Sequence, residues 1–492
     1  MRSRTFNPGS KLRVYFIALL LTLVTACSGG IGAVLLLVEG GISGTGISFG
    51  SIAAFSSVFV NGTKLEIDSG TEIYVDETLA TETDLKVGYV IRVEADFDNS
   101  TAKRIDYVES VRGPLTAIPL INPDTFAGSF DVLGQTISTN SATIFDGIAD
   151  VTALVMGDIL DISGVRNSTG AIVARYVQLK TSPVSEYRVV GEIANTNPIL
   201  ETFFVGNLEI NYTGADISGL IGGIVEDGIE VRVKGPAASF NLATPSINAD
   251  IINDSALILG IQSGDSVELE GAVTRFVSIS DMDVNGFPVD ASAAVIEDGD
   301  INDIITDALL EVEGSVDSTN VLNASKVKIL PVDNIRIDAN VDSVDLVNNT
   351  IQVLGRNFQL TEKTQLEDNS SAQIVQFSLL DLSPGDWVEL RGYSQDGIYY
   401  LSRLEREDPD TDVRLQAPVD ENGVDPVNKT IGLLGITVMT DSIGGITSYE
   451  DINNMQITEP VFFNSVVDGD LVKARWKAFM DISLPVDELS IE

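Results

Sequence analysis

Carboxylates are the only abundant side chains in this sequence with chemistry to offer. Among 492 residues there are 72 Asp and Glu, no histidine and a single cysteine, Cys27. Ser-His-Asp and Cys-His nucleophilic catalysis, structural zinc, blue copper and haem ligation each need an imidazole or thiolates that are not there. An intrachain disulfide is excluded as well. What remains is acid/base work by carboxylate pairs, as in glycosidases, or the binding of hard cations such as Ca²⁺. No carboxylate pair stands out by its setting, so no catalytic residue is assigned, no cofactor is required, and the chain reads as non-enzymatic.

Three acidic runs have spacings that suit Ca²⁺. Asp408-Pro-Asp410-Thr-Asp412 lies in a hinge, where crowded carboxylates repel one another unless a cation or solvent intervenes. It is the candidate metal site. Asp281-Met-Asp283-Val-Asn285-Gly286 resembles the first half of an EF-hand loop, but position twelve is Ser292 rather than a bidentate glutamate, so it reads as a solvated turn. Asp298-Gly-Asp300-Ile-Asn302-Asp303 is treated likewise. Trp387 with Tyr399-Tyr400 would suit an aromatic sugar platform. Trp387 sits at an out-facing position of its strand, where packing on a neighbouring module explains it equally. Arg403 to Arg406 read as solvated charges at a strand end.

The elements that carry these residues repeat six times. A strand runs into a glycine turn at Val60-Asn61-Gly62, Val132-Leu133-Gly134, Phe204-Val205-Gly206, Val284-Asn285-Gly286, Val353-Leu354-Gly355 and Leu433-Leu434-Gly435. The spacing of roughly 70–80 residues suits very small domains rather than solenoid coils. About 20–35 residues further on, each copy has a strand of period-two alternation. Val93, Ile162, Val233, Val312, Leu390 and Ala474 point one way, and Arg92, Asp161, Arg232, Glu311, Glu389 and Lys473 point the other. The apolar set belongs in a core and the charged set in water. Glycines at Gly164, Gly235, Gly314 and Gly392 mark a bulge or corner. Thr71, Thr143 and Thr364 open a further short strand.

Five or six short strands per copy predict an all-β chain, a tandem array of about six small antiparallel barrels of OB type, with a small sandwich as the rival architecture. The modules are expected at 42–112, 113–186, 187–263, 264–334, 335–412 and 413–492. The stretch Gly264 to Gly271 is assigned as the opening strand of the fourth.

The formal net charge is −42. The basic residues Arg2, Arg4, Lys11 and Arg13 precede the first acid, so the remainder is more acidic still. Such a surface repels phosphate backbones and anionic lipid headgroups, so no nucleic-acid partner is expected.

At the N-terminus, the basic start, the apolar run Val14 to Leu21 and Val24-Thr25-Ala26-Cys27 resemble a bacterial lipoprotein signal with its lipobox. That resemblance implies cleavage of residues 1–26, lipidation of Cys27 and membrane attachment through acyl chains, with 27–41 as a tether. Ser28, in place of aspartate, implies the outer membrane, with the protein facing either the periplasm or the surface. Val34 to Val38 are expected to dock as an extra strand.

Gly44-Thr-Gly46, the Phe59-Val60-Asn61-Gly62 hairpin, the Leu85-Lys-Val-Gly88 turn and Ala102-Lys-Arg-Ile105 resemble the bacterial domain of unknown function 5666 family, found in tandem on secreted proteins and lipoproteins. The first, second and fifth copies fit best; the third and sixth depart. The resemblance transfers no catalytic residue. The expected function is a lipid-anchored, non-enzymatic cell-envelope protein in binding, adhesion or scaffolding, with a protein or glycan partner. The alternative is a carbohydrate-binding or carbohydrate-processing envelope lipoprotein.

Overall fold

The structure is a computed structural model that describes residues 44–492, apart from 55–56, 118–127, 141–142, 149–150, 255–260, 375, 442–446, 453–454 and 478–480. The expected signal, Cys27, the tether and the strand at Val34 to Val38 lie outside the described residues. Among the described residues no helix is long and apolar enough to cross a membrane.

The second module shows the plan. Its five strands are Val111–Ala117, Gly128–Val132, Gln135–Thr139, Ile159–Arg166 and Ile172–Leu179. The first pairs with the second and the second with the third, both antiparallel; the third then pairs in parallel with the fifth. The fifth pairs with the fourth, and the fourth returns to the first, closing a five-stranded barrel. This is the OB order of strands. The same circuit closes in the fourth module, whose first strand is Ser266–Ser278, and in the fifth, whose first strand is Ile335–Asp345. Gly264 to Gly271 therefore does run into the opening strand of the fourth module. The first module closes through the bridges Ile52–Val60 and Glu66–Thr101. In the third, the first and fifth strands are each broken in two. In the sixth, a helix at Glu459–Ser465 precedes the fourth strand, Leu471–Trp476.

The repeated residues have definite tasks. Asn61-Gly62, Leu133-Gly134, Asn285-Gly286, Leu354-Gly355 and Leu434-Gly435 all have positive φ at both positions, the hairpin turn that matches strand twist. In the third module Gly206 comes first and Asn207 second, one place out of register with the others. The fourth strand bulges at Gly164, Gly314 and Gly392, where a Cβ would lie 2.0–2.3 Å from a carbonyl oxygen of the fifth strand. The marked threonines pin the extra strand to the fifth: Thr71, Thr143 and Thr364 donate to the carbonyls of Ala102, Ala174 and Leu401 at 2.6–2.7 Å. Thr447 does the same in the sixth module, to Val486.

Aliphatic side chains fill the barrels. Val93, Val233 and Leu390 are buried, as the alternation predicts. Each such side chain contributes about 1.5–3 kcal/mol. The charged face departs from expectation. Arg92, Asp161, Arg232, Glu311, Glu389 and Lys473 are buried as well, because modules pair edge to edge through their first strands. Val111–Ala117 pairs with Glu186–Glu192, Ile335–Asp345 with Val413–Asp425, and Thr45–Ser51, in parallel, with Ser266–Ser278. The described residues accordingly form one compact unit rather than separate beads.

Candidate functional site

Edge pairing lines up the outward-facing charges of neighbouring barrels, and other modules cover them. Ionised groups enter such places only when paired. At the junction of the first three modules, Arg112 bonds Asp76 and Asp161, each at 2.6 Å. Arg188 reaches Glu109 at 3.0 Å and Asp76 at 3.3 Å. Arg232 holds Glu77 at 2.7 Å, and Lys234 also pairs with Glu77. Burial, together with the neighbouring Asp76, pushes the Glu109 carboxyl up to about 8. Burial acts upward on Asp76 too, but its bond to Glu109 and the Arg112 charge outweigh it and hold it at about 2. The Oδ1 of Asp76 and the Oε2 of Glu109 accept no hydrogen bond, although Arg188 and Arg112 stand 3.3 and 4.0 Å from them.

Where the fourth module meets the first and fifth, carboxylate oxygens of Glu268, Glu311 and Glu313 lie within 4.8 Å of one another. Ser48 donates to Glu268 at 2.9 Å, Lys363 bonds Glu311 and Lys326 pairs with Glu313. Burial first, and then the charge of Glu311, raises Glu268 well above the usual carboxylate range. The donors are those Ca²⁺ uses, yet two ammonium groups already stand against them. The cluster is a lysine-capped set of carboxyls.

Between the fifth and sixth modules Arg336 joins Asp338 and Glu389, at 3.1 and 2.6 Å, and Arg414 joins Asp338 at 3.3 Å. Arg403 pairs with Glu405 at 2.6 Å and donates to the Thr143 carbonyl of the second module at 3.1 Å. Arg406 bonds Asp368. The charges from Arg403 to Arg406 are thus paired and at least half-buried, not the solvated strand end expected from sequence, because another module lies over them.

Four modules converge on a cavity of about 100 Å³. Phe49, Val90, Val108 and Val190 give it an apolar wall, and Arg92, Arg166, Asp106, Glu109, Glu230 and Asn285 give it polar groups. Arg92 is paired with Asp106 at 3.3 Å and Glu94 at 3.7 Å.

The metal candidates from sequence are not gathered. Asp408 accepts from the Ser371 amide, Asp410 from Thr411, and Asp412 pairs with Arg475 at 2.5 Å. Among the described residues, Glu268, Glu311 and Glu313 form the group with metal-holding spacing, and the hinge aspartates are not in it. Asp281 and Asp283 are clasped by Arg275 at 2.7 Å. Asp300 and Asp303 form a capping box on the short helical turn Ile301–Asp303. Trp387 is 2 % exposed within the apolar cluster of the fifth and sixth modules, so it offers no sugar platform. Tyr400 stacks on Tyr393 at 5.6 Å. Sequence reasoning missed Glu109, Arg166 and the Glu268 cluster. The one signal for such sites was a charged residue at the same place of every fourth strand.

A family model described as Domain of unknown function (DUF5666) matches residues 50–106, 112–178, 270–328 and 338–405, together just over half of the chain. These are the first, second, fourth and fifth modules; the unmatched third and sixth are those with broken strands or an added helix. No curated protein matches the chain.

Proposed function

Because the chain belongs to the DUF5666 family, whose description names no activity, we propose that it is a lipid-anchored, non-enzymatic cell-envelope protein whose six barrels work as a single binding scaffold. The observation that carries this reading is the burial of the charged strand faces between modules. Faces that independent domains would leave in water are here paired across modules, so the repeats hold one another in fixed positions. A scaffold with fixed barrels presents its turns and loops as one surface to a protein or glycan partner. The acidic exterior favours partners other than nucleic acid. Trp387 in the core weighs against the carbohydrate alternative.

Limited proteolysis of the full-length protein tests the scaffold. One concerted transition to small fragments is the expected outcome, whereas a ladder of fragments one module apart would show independent beads. Attachment is tested separately by fractionation: Cys27→Ser is expected to release the protein from membranes, and retention would refute lipid anchoring.

A further inference from the structure

We infer that the cavity at the convergence of the first four modules is a binding site for a short-chain carboxylate, held by Arg166. Arg166 leaves the fourth strand of the second module, and its hydrogen bonds run to neutral oxygens. Nη1 donates to the Gly170 carbonyl at 2.5 Å, and Nη2 donates to Gln135 Oε1 at 3.2 Å and to the Val190 carbonyl. Among the described residues no carboxylate lies within ion-pair distance of it. Glu230 and Glu192 act on it only from further away, and burial pulls its pKa below the usual guanidinium range. Among the described residues lining the cavity it is the cation without an acidic partner, since Arg92 is already paired.

Asn285 supplies a second donor. Its Oδ1 accepts from the Arg166 amide at 3.3 Å, and among the described residues its Nδ2 group donates no hydrogen bond. This asparagine is the first residue of the fourth module's Asn-Gly hairpin turn, so a turn read from sequence as purely structural also lines the cavity.

A largely buried guanidinium without a counter-charge favours an anion; with both Nη2 hydrogens already donated, a carboxylate oxygen is met by the remaining hydrogen of Nη1. The apolar wall of Phe49, Val90, Val108 and Val190 selects an anion with a hydrocarbon stem over a hydrated inorganic one. The volume holds several waters, or a ligand of about six to eight heavy atoms. This inference rests on the scaffold reading, in that the cavity exists only while four modules are held together.

The test is calorimetric titration of the full-length protein with sodium butyrate and, separately, with sodium phosphate. Saturable butyrate binding is expected, weakened on the order of tenfold or more in Arg166→Gln, where a charge-assisted hydrogen bond is lost. Val190→Phe, which fills the cavity and keeps the guanidinium, is expected to abolish it. If Arg166→Gln fails to fold by circular dichroism, Val190→Phe decides alone. Absence of saturable butyrate binding, binding undiminished in Val190→Phe, or phosphate binding as tight as butyrate would each overturn the assignment. None of these results alters the proteolysis pattern or membrane retention, so the two readings fail separately.

Discussion

Glu77, in a turn of the first module, ion-pairs at 2.7 Å with Arg232, a fully buried side chain on the fourth strand of the third module. The two are 155 residues apart in sequence. Arg232 has one further carboxylate near it, Glu109 at 4.0 Å. The arginine is tolerable in its place because another module reaches over it.

Glu77→Gln leaves that guanidinium short of its nearest counter-charge. Breaking a buried pair from one side costs about 3–5 kcal/mol, and Glu77 is itself half-exposed, so a loss of about 2 kcal/mol is expected. Urea unfolding of wild type and variant measures it; an unchanged midpoint would show that the first and third modules do not lean on each other.

Stability is expected to fall as pH rises. Burial pushes Glu405 up to about 8, against the pull of Arg403, and pushes Glu407 up to about 7. Glu109 also stands at about 8. A carboxyl whose folded pKa exceeds its unfolded value contributes stability that is full below about 4.5 and lost as pH rises through 7–8. The melting temperature is therefore expected to drop between about pH 5 and pH 9, and Glu405→Gln to flatten the drop. At the acid end, Asp76 and Asp368, both held at about 2, contribute stability present above 3.8 and lost as pH falls through 2.

Calcium is expected to leave the melting temperature unchanged relative to chelator, since Asp412 is engaged by Arg475 and Asp408 by a backbone amide. Asp412→Asn is expected to cost about 1 kcal/mol through the partly exposed pair. A calcium-dependent rise in wild type that disappears in this variant would restore the hinge as a metal site.

Trp387→Ala is a core truncation and is expected to cost about 3–5 kcal/mol, seen as a large shift of the denaturation midpoint. A variant of wild-type stability would place the indole at the surface after all.

Two glycines of the fifth module separate steric from conformational need. At Gly392 a Cβ would stand 2.0 Å from the Tyr400 carbonyl, so Gly392→Ala must spread the strand pair, at about 2–3 kcal/mol. Gly385 has open space but φ of +95°, so Gly385→Ala is expected to cost about 1 kcal/mol. Equal costs would show that the bulge is not tight.

The sequence by itself determined everything that depends on near neighbours. Asn61-Gly62 and Asn285-Gly286 are turns because Asn and Gly accept positive φ locally, and in Leu133-Gly134, Leu354-Gly355 and Leu434-Gly435 the glycine alone carries that local signal. Val93, Val233 and Leu390 are buried because period two puts them on one face of a strand. The third copy, with its broken strands, and the sixth, with its added helix, also show as departures in the pattern. Alternation distinguishes two faces but does not say what covers the second. Arg92, Arg232 and Glu389 read as solvent-facing because a lone charge belongs in water. Only the tertiary structure pairs the first module with the fourth, the second with the third and the fifth with the sixth; it also brings Glu77 of the first module to Arg232 of the third, while Asp106 and Arg336 reach Arg92 and Glu389 from a neighbouring strand of the same barrel. A charge enters the interior only when its partner is already there. For these residues the partner belongs to another strand or another module, beyond the reach of a local pattern.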